Sequence, residues 1–96
     1  MGNPFVATKE LLVLSLLRDV PKGLYGLELV RASNGHLQRG TVYVTLGRLE
    51  EKGYVKSIVN GKSDHPGLPR PRYSLTAQGQ RVLEAAQIMG LSEARA

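Results

Sequence analysis

The chain contains no cysteine and no tryptophan, one phenylalanine and four tyrosines. Without thiols there are no disulfides, no thiolate metal ligands and no cysteine nucleophile, which suits a reducing compartment. With so few aromatics the core has to be aliphatic, built from Leu and Val. Long apolar runs are missing too. The longest, Leu11 to Leu17, is interrupted by Ser15 and far too short to span a bilayer. No basic stretch leading into an apolar segment and a small-residue cleavage site opens the chain. These absences predict a cytoplasmic protein without membrane association. Catalytic constellations are also lacking. His36 and His65 fall in expected loops, without the ligand cluster a metal requires, and are expected in solvent. No serine is placed in a recognisable Ser–His–acid arrangement. Asn60-Gly61 is a turn dipeptide rather than a phosphate loop. Nothing argues for an enzyme, and no cofactor is implied.

What is present is positive charge, unevenly spread. The net charge is +5 over 96 residues, a length that predicts one domain. Between Arg39 and Arg72 there are seven cations (Arg39, Arg48, Lys52, Lys56, Lys62, Arg70, Arg72) against three anions (Glu50, Glu51, Asp64). A basic middle third fits a polyanionic partner, although a solvated basic surface would look the same by charge alone.

Periodicity organises the rest. A first helix is expected over about Thr8 to Asp19, with Thr8 as N-cap and Glu10 in the first turn. Leu11, Leu12, Val13, Leu14, Leu16 and Leu17 make it apolar most of the way round, so two sides should be buried. In so small a domain the second side is expected to meet another chain. Val20-Pro21-Lys22-Gly23 stops this helix. A second helix is expected over about Tyr25 to Ser33, closed by Asn34-Gly35, both tolerant of positive φ.

The third helix carries the most information. Gly40-Thr41 predicts a break and an N-cap, and the helix runs to Lys52 before Gly53 ends it. Val42, Leu46 and Leu49 fall on one core-facing stripe. Thr41, Thr45, Arg48 and Lys52 fall on a neighbouring stripe that combines hydroxyls and cations without an acid. That stripe is the expected outward, hydrogen-bonding face.

After Gly53 the pattern becomes β. Tyr54 to Val59 predicts a strand, and Arg72 to Leu75 its return partner. Between them Asn60 to Pro71 forms a basic loop with three prolines and two glycines. A last helix starts at the N-cap Thr76 and runs to the low 90s, with Val82, Leu83, Ala86 and Met89 on one stripe. The order helix, helix, helix, strand, basic loop, strand, helix predicts a mainly α fold with a small β-hairpin: the winged form of the helix-turn-helix. Such a helix fits the major groove of double-stranded DNA, with Arg48 able to reach a guanine edge and the wing able to follow the backbone or enter the minor groove.

The string Gly40-Thr41-Val42-Tyr43-Val44-Thr45-Leu46-Gly47-Arg48-Leu49-Glu50-Glu51-Lys52-Gly53-Tyr54-Val55 resembles the recognition-helix signature of the PadR family of transcriptional regulators. Leu24-Tyr25-Gly26-Leu27-Glu28-Leu29 resembles that family's start of helix two. Pro69-Arg70-Pro71-Arg72-Tyr73-Ser74-Leu75-Thr76-Ala77-Gln78-Gly79 resembles its wing exit. The resemblance covers about Leu11 to Leu83. It implies a repressor acting as a homodimer on a palindromic operator, with DNA contacts from Thr41, Tyr43, Thr45 and Arg48 and wing contacts from Lys62, Arg70 and Arg72. Arg39 joins these as a candidate DNA contact, as does Val44, which replaces the family's usual proline. Tyr43 lies on neither stripe, leaving open a phosphate contact or packing under the wing. Tyr25 and Tyr73 are expected in the core or at the domain edge.

The resemblance further implies that the last helix packs with the first helix of the partner. The candidate dimerisation residues are Leu12, Leu16, Val82, Ala86 and Met89. The chain accordingly divides into a DNA-binding unit over 1–75 and a dimerising helix over 76–96. The same apolar surface offers room for a small hydrophobic effector, a use that the shortage of aromatics weighs against. A different class of function is a winged-helix interaction module whose basic wing meets an acidic protein.

Overall fold

The structure, a computed structural model, describes residues 8–59 and 70–89. Seven elements follow in chain order: α1 (Thr8–Leu17), β1 (Leu24–Tyr25), α2 (Gly26–Ala32), α3 (Arg39–Lys52), β2 (Val55–Ile58), β3 (Arg72–Leu75) and α4 (Ala77–Ile88). The strands form one antiparallel sheet in the order β1-β3-β2. The mainly α winged helix-turn-helix expected from the sequence is therefore the observed architecture.

The aliphatic core forms as the composition requires. Leu11, Val13, Leu14 and Leu17 of α1 meet Leu29 of α2, Val42, Leu46 and Leu49 of α3, Val55 of β2, and Leu83 and Ala86 of α4. Each fully buried Leu or Val contributes about 1.5–3 kcal/mol of transfer free energy. α1 is the central element, packed against α3 and α4. It also supplies a buried carboxylate: Glu10 is 4% exposed and lies 2.9 Å from Lys52 Nζ at the end of α3.

The turn between α2 and α3 is built by local chemistry. Asn34 (φ 53°) and Gly35 (φ 90°) adopt the left-handed conformation that ends α2. Buried Ser33 donates its hydroxyl to Val30 O (2.7 Å) and accepts from Leu37 N–H (2.9 Å), which seats Leu37 in the core. At the far end of α3, Gly53 at φ 82° lets the chain reverse into β2. Thr76 then joins two elements. Its hydroxyl donates to Gly53 O (2.6 Å) and accepts from Gly79 N–H (2.9 Å), the expected cap of α4.

Two expectations are corrected. α3 begins two residues before Thr41, with Gln38 as N-cap, so Thr41 is a helical residue whose hydroxyl turns back toward Gln38 O. β1 was absent from the sequence expectation. Two residues are too few to show a period, and the strand exists only because β3 runs alongside it.

Candidate nucleic-acid interface

With Val42, Leu46 and Leu49 fully buried, the side of α3 opposite the core is set by helical geometry. Gly40, Val44, Gly47 and Glu51 lie along its outermost line, and Tyr43 and Arg48 flank it. Tyr43 is 49% exposed and Val44 54% exposed, high values for large apolar groups. A Cβ added at Gly40 or Gly47 would meet nothing within 4 Å. The face is thus bare in two places, apolar at Val44 and cationic at Arg48, with Arg39 at the start of the helix. Among the described residues the ion pairs are Arg18–Asp19 and Lys52–Glu10, so neither Arg39 nor Arg48 is neutralised by a carboxylate.

This free face is turned by about 100°, one residue's rotation, from the stripe expected from sequence. Thr45, expected to point outward, is 9% exposed, and its hydroxyl donates to Thr41 O at 3.3 Å. It flanks Val42 and Leu49 on the helix and is drawn into the core with them. Lys52 reaches back to Glu10 on α1. The outward face also includes an acid, Glu51, against expectation. Thr41 and Arg48 remain exposed as expected.

Tyr43 makes a contact that sequence could not foresee. Its ring lies over Gly26 so closely that a Cβ there would stand 2.6 Å from Tyr43 Cε1. Half of the tyrosine is thereby fixed against α2 while the other half stays exposed. Ser57 of β2 donates to Glu50 Oε2 (2.8 Å), joining α3 to the sheet. Tyr73 on β3 lies in the same region, at the domain edge. Burial, and then the Glu50 carboxylate and the Tyr43 phenol, push its phenol above the ordinary value of 10.0.

The base of the wing holds a second cationic group. Arg70 Cζ lies 4.7 Å and Arg72 Cζ 4.4 Å from the centroid of the Tyr25 ring. Sequence reasoning named both arginines but missed the role of Tyr25. The signal was the pairing of β1 with β3, which sets Tyr25 opposite Arg72. Lys62, the remaining expected wing contact, lies outside the described residues.

The candidate dimerisation residues divide. Ala86 is 5% exposed and belongs to the chain's own core, because it faces α1 on the same side as Leu83. Leu12, Leu16 and Val82 are half-buried against that core, and Met89 is 65% exposed beside Ile88 at 86%. Elsewhere a small open cleft of about 210 Å³ is lined by Leu27, Val30, Arg31 and Arg39. His36 is exposed, with Nδ1 2.9 Å from Ser33 O. Among the described residues no group of His, Asp or Glu could hold a metal, and no helix is long and apolar enough to cross a membrane.

The sequence model of the transcriptional regulator PadR-like family matches residues 13–85. A solved PadR family transcription regulator from Clostridium difficile R20291 is 30% identical, with a TM-score of 0.70 and 83% of each chain covered. Bacillus subtilis PadR, solved in complex with operator DNA, is 20% identical with a TM-score of 0.73; 83% of this chain and 46% of that chain are covered. Streptomyces coelicolor PcaV, solved with its natural ligand, is 22% identical with a TM-score of 0.74; 95% of this chain and 61% of that one are covered. The last two are similar to this chain in fold alone. No curated protein is similar to it at a significant level. The matching family is one of transcriptional regulators and not of enzymes. By the match over residues 13–85 and the architecture shared with the 30% identical regulator, this chain belongs to the PadR-like family of transcriptional regulators.

Proposed function

We propose that the chain is a DNA-binding repressor that lays the Gly40–Val44–Gly47–Arg48 face of α3 into the major groove of a palindromic operator. The observation that carries this reading is the bare, un-neutralised outer side of α3 beside the arginines at the wing base. Glycines let the helix backbone approach the bases, and Arg48 stands where a guanidinium can donate two hydrogen bonds to a guanine edge. Tyr43 and Arg39 contact the flanking phosphates, and the wing, with Lys62, follows the backbone. The likeness in fold to a regulator solved on its operator supports the same docking.

The protein works as a cytoplasmic homodimer. Half-buried Leu12, Leu16 and Val82, with exposed Ile88 and Met89, form the apolar surface for the second copy. In this arrangement residues up to Leu75 read DNA and α4 joins the subunits. A small hydrophobic effector has its place on that joining surface.

Selection of bound sites from random duplexes tests the proposal. The expected result is an enriched inverted repeat with half-site centres about one helical turn apart, bound with an affinity that falls linearly on a log–log salt plot. Absence of enrichment, with no duplex shift at low salt and a stoichiometric acidic protein partner instead, would overturn it.

A further inference from the structure

Where the end of β1 meets the start of β3, the backbone register creates a cluster of unusual composition. Tyr25 pairs directly with Arg72, and Arg70 lies two residues before Arg72. Both guanidiniums rest on one ring, 4.7 Å and 4.4 Å from its centroid. Pro71 between them has a fixed φ, which limits the freedom of the segment that spaces the two arginines. Tyr25 is itself anchored, since its backbone N–H donates to Glu28 Oε1 at 2.8 Å.

Two like charges on one ring repel each other. An acid in the position of Tyr25 would relieve that repulsion but would also neutralise the cations. The ring instead holds the guanidiniums by attraction to its quadrupole and leaves their charge unspent. Among the described residues neither arginine has a carboxylate partner. Such a pair is completed by one anion that can accept several parallel N–H bonds, as a phosphate oxygen pair does. The cluster is also tied to α3. The residue after Tyr25 is Gly26, on which the ring of Tyr43 rests. One dipeptide therefore touches both the wing arginines and the Tyr43 side chain of the recognition helix.

We propose that Arg70 and Arg72, seated on Tyr25, clamp a single backbone phosphate of the duplex, with Tyr25 as the positioning residue. This rests on the DNA-binding reading of the chain. The clamp supplies register and affinity but no base preference, because every sequence offers the same phosphate.

The test uses a duplex recovered by site selection, in which single phosphates are replaced one at a time by neutral methylphosphonates. For the native chain, one substitution in each half-site, outside the bases covered by α3, weakens binding about 10-fold or more. The double variant Arg70→Gln, Arg72→Gln and the variant Tyr25→Met bind the unmodified duplex about 5–20-fold more weakly. They no longer respond to that substitution, their salt slope falls by about one, and their selected sequence is unchanged. Tyr25→Phe, which keeps the ring, restores both affinity and the phosphate response. In the native chain the δ protons of both arginines are shifted upfield by the ring current in solution, a reading that needs no variant. Tyr25→Met with an unaltered phosphate profile, or arginine δ protons without the shift, would overturn the clamp while leaving DNA reading intact. A native chain that binds no duplex would overturn both.

Discussion

Tyr43 of α3 lies against the bare Cα of Gly26 in α2, with its hydroxyl oxygen 2.7 Å from where a Cβ at residue 26 would stand. The atoms in the way belong to the far end of a half-exposed side chain, so Gly26→Ala displaces the ring without unfolding the domain. Its stability should change by less than about 1 kcal/mol. Binding to a selected duplex should fall to the level of Tyr43→Ala, and the double variant should be no weaker than either single one. Thermal melts and a double-mutant cycle of dissociation constants measure this. Additive losses would mean that the two residues act separately.

Gly47 lies inside α3 with open space around it. In the isolated chain this glycine only weakens the helix, so Gly47→Ala should stabilise it by about 0.5–1 kcal/mol. On DNA the added methyl stands the helix away from the base edges, so affinity should drop while the melting temperature rises. A variant that gains stability and keeps full affinity would show that this line of the helix does not touch the duplex.

Ser74 on β3 is 2% exposed, and among the described residues its hydroxyl has no hydrogen-bond partner. Burying an unsatisfied hydroxyl costs about 1–3 kcal/mol. Ser74→Ala should therefore leave stability unchanged or raise it, by up to about that amount. Denaturant unfolding at constant m-value is the appropriate check. A marked loss would reveal a partner for the hydroxyl.

Tyr73 gives the fold a dependence on alkaline pH. Its phenol is held in the neutral form by burial, by Glu50 and by Tyr43. The folded chain therefore keeps this proton at pH values where the unfolded chain has lost it. The resulting stability is fully present below the ordinary value of 10.0 and declines as pH rises beyond it. Melting temperatures measured from pH 8 to pH 11 should fall more steeply for the native chain than for Tyr73→Phe. Parallel curves would exclude this phenol as a cause.

What the sequence made legible was whatever one element carries in itself. The core stripe Val42, Leu46, Leu49, the stop at Gly53, the reversal at Asn34-Gly35 and the cap at Thr76 all follow from local period and backbone preference, and all are present. The rotational setting of α3 was not legible. Composition favoured the line through Thr45 and Lys52, but Thr45 flanks the core and Lys52 answers Glu10, 42 positions earlier. Ala86 was assigned to a partner for a similar reason, because a stripe does not say which of two apolar surfaces it meets. β1 and the seating of the wing arginines on Tyr25 depend on strand register, which two residues cannot encode by themselves.

Site selection repeated with Arg48→Ala and with Thr45→Ala tests most directly which side of α3 meets the bases. The expected result is that Arg48→Ala loses about 1–3 kcal/mol and its preference at one base pair in each half-site. Thr45→Ala should recover the native sequence at nearly native affinity. If Thr45→Ala relaxes base preference while Arg48→Ala leaves it intact, the proposed reading face is contradicted.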